Sequence, residues 1–240
     1  MSYEFSKSNI DHFLYELAKE YKKMNRAYPE AEIILIGGAS MLVNYSFRDM
    51  TTDIDAYIKA SSSMKDAINK IGDAYGFTSG WLNDDFKKTE SYTPKIVEYS
   101  KFYKKFCNCL TVRTLTDEYL LAMKLCSARM YKKDLSDIIG ILKENQEKLT
   151  PLDMGKIDKA VMNLYGGWEK IKPETIDFLK KALKNPDLQE LYYETIKDEQ
   201  LNKNVLLFAE EKYNNIINNE NTEEFIKHFK KNNKLDINER

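Results

Sequence analysis

Apolar residues recur at three- and four-residue intervals near the start of the chain. Ile10, Phe13, Leu14, Leu17, Ala18 and Tyr21 share one face if residues 9–27 are helical. Asn9 is placed to cap that helix, and Tyr28-Pro29 stops it. The next run, Glu32-Ile33-Ile34-Leu35-Ile36, is short and β-branched and ends in Gly37-Gly38, which predicts a strand buried on both faces. A helical segment, Ala39 to Tyr45, follows the glycines directly. From Thr52 to Lys59, Ile54, Ala56 and Ile58 alternate with Asp53, Asp55 and Tyr57, predicting a second strand with both aspartates on one face.

Ser61 to Ser63 are placed to cap a helix from about Met64 to Tyr75, with Gly76 at its end. Trp81 to Lys87 reads as a polar loop or short helix. Lys95 to Tyr99 and Leu110 to Leu115 read as strands, the first with Ile96 and Glu98 on one face and Val97 and Tyr99 on the other. From Thr116 onward the period is helical, apart from Lys/Asn/Glu-rich connectors. The expectation is an α+β region over residues 1–115 and a helical domain over 116–240, with disorder confined to the last ten residues.

Composition narrows the classes. Apolar residues are 42% and charged residues 31% of 240, which excludes a disordered chain and a membrane bundle. With 37 Lys plus Arg against 38 Asp plus Glu, no global positive field holds the protein on nucleic acid; any such contact is local. Cys107, Cys109 and Cys126 are odd in number and lack CxxC spacing, which argues against a disulfide scaffold or a zinc site. The opening MSYEFSKSNIDHF has no basic stretch before an apolar run, and the longest apolar run is Ile33 to Ile36. A soluble cytoplasmic protein without membrane contact is therefore expected.

Chemistry concentrates in Ile36-Gly37-Gly38-Ala39-Ser40, followed after twelve residues by Asp53-Ile54-Asp55. Glycines between a strand and a helix let phosphate approach the backbone, where free N–H groups and the helix dipole favour an anion. Ser40 adds a hydroxyl. Two strand carboxylates at i and i+2 grip hard divalent cations, which in turn bind phosphate oxygens. Elsewhere the signals are bland. His12 and His228 are isolated, Cys107 and Cys109 share a strand face as small apolar residues, and Trp81 and Trp168 are packing anchors. Lys101, Lys104 and Lys105 among Phe102, Tyr103 and Phe106 read first as a solvated edge, with an RNA contact as the alternative.

Strand, Gly-Gly-x-Ser, helix and Asp-Ile-Asp strand in that order resemble the polymerase-beta-type nucleotidyltransferase superfamily. The wording GGASMLVNYSFRDMTTDIDAYI, with WLNDDFK at 81–87 and LLAMKLCSARMYKKDLSDI at 120–138, is similar to uncharacterised bacterial proteins allied to AbiEii-type toxins. The resemblance covers about residues 30 to 142. It implies a mixed sheet with flanking helices, nucleotide phosphates at Gly37, Gly38 and Ser40, and Mg²⁺ or Mn²⁺ at Asp53 and Asp55. Lys124 matches the toxin branch's functional lysine, and Asp134 or Asp137 its later aspartate. Arg48 is a support for the phosphates or the acidic pair. Superfamily members often carry a third carboxylate, for which Glu98 is the candidate and Asp84 the competitor. Lys124 and Asp137 are thirteen residues apart, so they converge only if the chain bends near Met130 to Lys133. The implied activity is metal-dependent transfer of a nucleoside monophosphate from an NTP to a hydroxyl of RNA, protein or a small molecule, toxin-like and with an antitoxin as partner. The alternative is a non-catalytic nucleotide-binding or protein-interaction module of the same fold.

Overall fold

The computed structural model describes residues 3–25, 30–212 and 221–232. A short strand β1 (Phe5–Ser6) leads into helix α1 (Ile10–Met24), whose Ile10, Phe13, Leu14, Leu17 and Tyr21 are buried as the spacing predicts. Residues 26–29, with the expected Tyr28-Pro29 stop, lie outside the described residues, as do residues 233–240 in the tail. Asn9 spends its side chain on the preceding turn rather than on a cap, accepting from Ser6 N–H at 2.8 Å.

Strand β2 (Ala31–Leu35) is the centre of the sheet and runs into α2 (Gly37–Asn44). Short β3 (Met50–Thr51) pairs with β1, and β4 (Ile54–Lys59) lies antiparallel to β2 with Leu35 opposite Ala56. Helix α3 (Ser63–Tyr75) ends at Gly76, whose φ of 69° closes it. Short β5 (Leu82–Asn83) adds to β4 in parallel, Asp55 opposite Asn83. Strands β6 (Ser100–Phe106) and β7 (Leu110–Leu115) form a hairpin, and β7 lies parallel to β2. The result is a five-stranded mixed sheet ordered β5-β4-β2-β7-β6. Helices α4 (Asp117–Ser127), α5 (Asp134–Glu147), α6 (Met154–Tyr165), α7 (Pro173–Lys184), α8 (Leu188–Lys212) and α9 (Thr222–Asn232) complete the described chain.

Two apolar clusters hold these layers. In one, α1 and α3 pack on β2, β4 and β7 through Phe13, Leu17, Ile33, Ile54, Ile68 and Val112. The other sets α4 to α7 against Ile36, Met41, Tyr45 and Leu115. Mixed chain gives way to all-helical chain between β7 and α4, and this second cluster runs across that point. None of the described helices is long and apolar enough to cross a membrane.

Several local expectations need correction. Lys95 to Tyr99 is not a strand: Thr93 accepts from Lys95 N–H and Pro94 opens a 3-10 turn, Pro94–Val97. Glu98 ends that turn exposed, so the alternation that paired it with Ile96 does not exist. Cys107 does not share a strand face with Cys109, because Cys107 and Asn108 form the β6–β7 turn at φ 50° and 56°. Cys109 is buried and Cys107 half-buried. The hydroxyls of Ser61 and Ser63 face α1, bonding Tyr21 and Asn25, instead of capping α3. Trp81 is buried as an anchor, its indole N–H donating to the Ile68 carbonyl at 2.9 Å.

Candidate active site

The site forms where β2 hands over to α2. Ile36 is extended, and its N–H donates to the Asp55 carbonyl at 2.9 Å, a last rung that locks the turn to β4. Gly37 then takes φ 56°, a region that favours glycine. A Cβ at Gly37 would stand 3.1 Å from Asp55 Oδ2, so the carboxylate faces the turn at contact distance. A Cβ at Gly38 would meet Thr51 Oγ1 at 2.5 Å and Arg48 Nη2 at 3.3 Å. The side chains of Asp55, Thr51 and Arg48 thus close in on the turn, and helix geometry leaves the first N–H groups of α2 without intrahelical partners.

Asp53 sits in the bend before β4 rather than on the strand, and it is exposed. The Thr51 hydroxyl donates to the Asp53 carbonyl at 3.1 Å and holds that bend. Asp55 is half-buried on β4. Burial, then the neighbouring Asp53 charge, pushes its carboxyl above the ordinary range, while Arg129, Lys124 and Asn83 pull the other way.

Behind the turn lies a buried charge cluster. Lys124 Nζ stands 2.7 Å from Asp134 Oδ1 and 2.8 Å from Asp137 Oδ2. Arg129 Nε donates to Asp134 Oδ2 at 2.7 Å, and Arg48 Nη1 to Asp137 Oδ1 at 3.1 Å. The convergence requires a sharp bend, and Ala128 supplies it at φ 31° just after α4. Burial alone would lower the Lys124 ammonium's hold on its proton, but the two carboxylates outweigh it and raise that hold above the usual lysine range. Burial likewise works against the Asp134 carboxylate, yet Lys124 and Arg129 hold it well below the usual range. Three cations share two carboxylates, leaving one positive charge in excess beside Asp55.

The structure thus gathers Gly37, Gly38, Arg48, Asp53, Asp55, Lys124, Asp134 and Asp137. It does not gather Ser40, Glu98 or Asp84. Ser40 is fully buried, and its hydroxyl is paired with Thr114 Oγ1 at 2.5 Å in the α2–β7 packing, away from the turn. Asp84 is exposed and paired with Lys87 Nζ at 2.6 Å. Among the described residues no group of three or more His, Cys, Asp or Glu stands ready as metal ligands. Thr51, Asn83 and Arg129 belong to the site and were not expected. Asn83 becomes visible only through its pairing with Asp55, and Arg129 only through the α4–α5 bend.

The model of the family described as "Nucleotidyltransferase of unknown function" (DUF6036) matches residues 12–175, about two thirds of the chain. The chain belongs to this family. The nucleotidyltransferase match runs from α1 into the start of α7 and includes every residue gathered at the site. Comparisons with curated proteins and with solved structures give no match.

Proposed function

We propose that this nucleotidyltransferase-family protein moves a nucleoside monophosphate from an NTP to an acceptor hydroxyl. The observation that carries the reading is the Asp55 carboxylate facing the Gly37 turn, 3.1 Å from where a Cβ would stand. Acid and glycine turn then stand side by side where β2 meets α2. Asp53 and Asp55 are hard oxygen donors and fit Mg²⁺ or Mn²⁺, which take one or two protein carboxylates and complete their shell with phosphate oxygens and water. Burial and the Asp53 charge raise the Asp55 carboxyl's proton affinity against the pull of Arg129 and Lys124, and a bound divalent cation would hold it ionised. Bound there, the cation contributes charge that shields the phosphates and polarises them.

In this reading the N–H groups opening α2 bind the outer phosphates, and Arg48 backs Gly38. Lys124 acts through the cluster it anchors: the excess positive charge offsets the phosphates at short range without direct contact. The acceptor oxygen forms a bond to the α-phosphorus while the bond to the bridging oxygen of the β-phosphate breaks. Pyrophosphate leaves, and the hydroxyl proton goes to water. Catalysis is then positioning and electrostatics. Kinship with AbiEii-type toxins is supported by Lys124 with Asp134 and Asp137. It implies RNA or a protein hydroxyl as acceptor and an antitoxin as partner.

A second reading, nucleotide binding without turnover, is favoured by the positions of Glu98 and Asp84, neither of which joins Asp53 and Asp55. One experiment separates the two. The protein is incubated with each α-labelled NTP, Mg²⁺ or Mn²⁺, total RNA and cell lysate, beside the Asp53→Asn/Asp55→Asn variant. Label transfer by the wild type, lost in a variant that melts normally, supports the enzyme. Nucleotide-induced thermal stabilisation without transfer supports the binder. Equal transfer by both proteins overturns the site.

A further inference from the structure

Helix α8 lies beyond the matched residues and spans 25 residues, about 37 Å. Its Tyr192, Glu199 and Asn202 fall on one side at intervals of seven and three. All three reach segments that carry the charge cluster. The Tyr192 hydroxyl donates to the Phe47 carbonyl at 3.3 Å, next to Arg48. The Asn202 amide donates to the Met130 carbonyl at 2.7 Å, inside the bend between Arg129 and Asp134. Glu199 Oε1 accepts from Leu135 N–H at 2.9 Å and from Ser136 N–H at 3.1 Å.

The Glu199 contact is the informative one. Leu135 and Ser136 are the second and third residues of α5, where N–H groups have no intrahelical partner. Asp134 and Asp137 flank them, and acids in a first turn are drawn to those same N–H groups and to the positive end of the helix. With both donors taken from outside, the two aspartates are left to face Lys124, Arg129 and Arg48. A carboxylate is an expensive way merely to finish a helix. Glu199 is buried beside Asp137 with no cation bonded to it among the described residues, and that burial pushes its carboxyl up to about 7.

We propose that Glu199 is a positioning residue of the candidate site: from α8 it occupies the opening N–H groups of α5 and so keeps Asp134 and Asp137 aimed at the three cations. The geometry stands alone; its effect on transfer rests on the function proposed above, which it deepens. A C-terminal helix outside the family match thereby sets the electrostatics beside Asp55.

The test uses the full chain with Glu199→Ala and Glu199→Gln, the latter keeping a carbonyl acceptor. Amide exchange at Leu135 and Ser136 is expected to quicken about tenfold in Glu199→Ala and to stay near wild type in Glu199→Gln. The protected Lys124 ammonium signal in ¹⁵N NMR is expected to vanish in the first variant and persist in the second. Label transfer is expected to fall about tenfold in kcat, with KM for the NTP changing less, and to be restored by Glu199→Gln. If Glu199→Ala does not fold, Asn202→Ala loosens the same bend and is read by the Lys124 signal. Unchanged exchange together with an unchanged Lys124 signal overturns the inference. A wild type that transfers no label overturns the proposed function alone, since exchange and NMR still decide the role of Glu199.

Discussion

The ring of Phe47 occupies the space that a side chain at Gly140 would need: a Cβ on Gly140 would stand 2.7 Å from Phe47 Cε2 and Cζ. The ring also stacks on Tyr45 and meets Tyr192 edge-on, so one small residue of α5 seats the segment that carries Arg48. Gly140→Ala is therefore predicted to destabilise. Overpacking costs about 1–3 kcal/mol, and the better helix propensity of alanine returns up to about 1 kcal/mol. A urea midpoint equal to or above wild type would show that Phe47 moves aside freely.

Gly38→Ala tests the cradle. Its Cβ would collide with Thr51 Oγ1, the hydroxyl that holds the bend before Asp55. The variant is predicted to lose stability by about 1–3 kcal/mol, as overpacking does, and to lose nucleotide-induced thermal stabilisation in the fraction that stays folded. Retention of the full shift at saturating NTP and Mg²⁺ contradicts the phosphate assignment.

The charge cluster should respond asymmetrically. Asp134 is fully buried and bonds Lys124, the Arg129 guanidinium and the Arg129 N–H. Asp134→Ala leaves two cations short of a partner and is predicted to cost about 3–5 kcal/mol. Lys124→Met costs less, because Asp134 keeps Arg129 and Asp137 keeps Arg48. Chemical denaturation of both variants checks the order, and a larger loss for Lys124→Met reverses the assignment.

Two carboxyls predict opposite pH trends. The Glu199 carboxyl is raised from its ordinary 4.5 to about 7, so the fold binds its proton more tightly than the unfolded chain. Its contribution is fully present below about 4.5 and is lost as pH rises toward 7. Asp134 is depressed, so its contribution is present above its ordinary 3.8 and is lost on acidification below that. Asp137 from α5 raises Glu199 further, and Lys133 from the bend faces it. Wild type minus Glu199→Gln stability is predicted to fall between pH 4.5 and 7. A difference that is flat across that window means Glu199 titrates normally.

The amphipathic period of α1, the two-sided apolar run of β2, the glycine break and the alternation of β4 were all legible in the chain, because each is a local property. Lys95 to Tyr99 was misread since an apolar–polar alternation of five residues cannot outvote a Thr-Pro turn opener. Strand β6 carries little apolar period, with only Ser100 and Phe106 buried, and it exists by pairing with β7. Ser40 looked like a phosphate ligand from its position after two glycines, but its hydroxyl found Thr114, 74 residues away.

By itself the sequence determined α1, β2, β4 and the glycine turn between β2 and α2, since backbone conformation at Gly37 and burial period depend on near neighbours along the chain. Only the tertiary structure decided which acid faces that turn, which cations neutralise Asp134 and Asp137, and that α8 braces them. Those choices depend on which distant side chains share a low-dielectric space, where an ionic partner is chosen by proximity after packing and leaves no periodic trace in the chain.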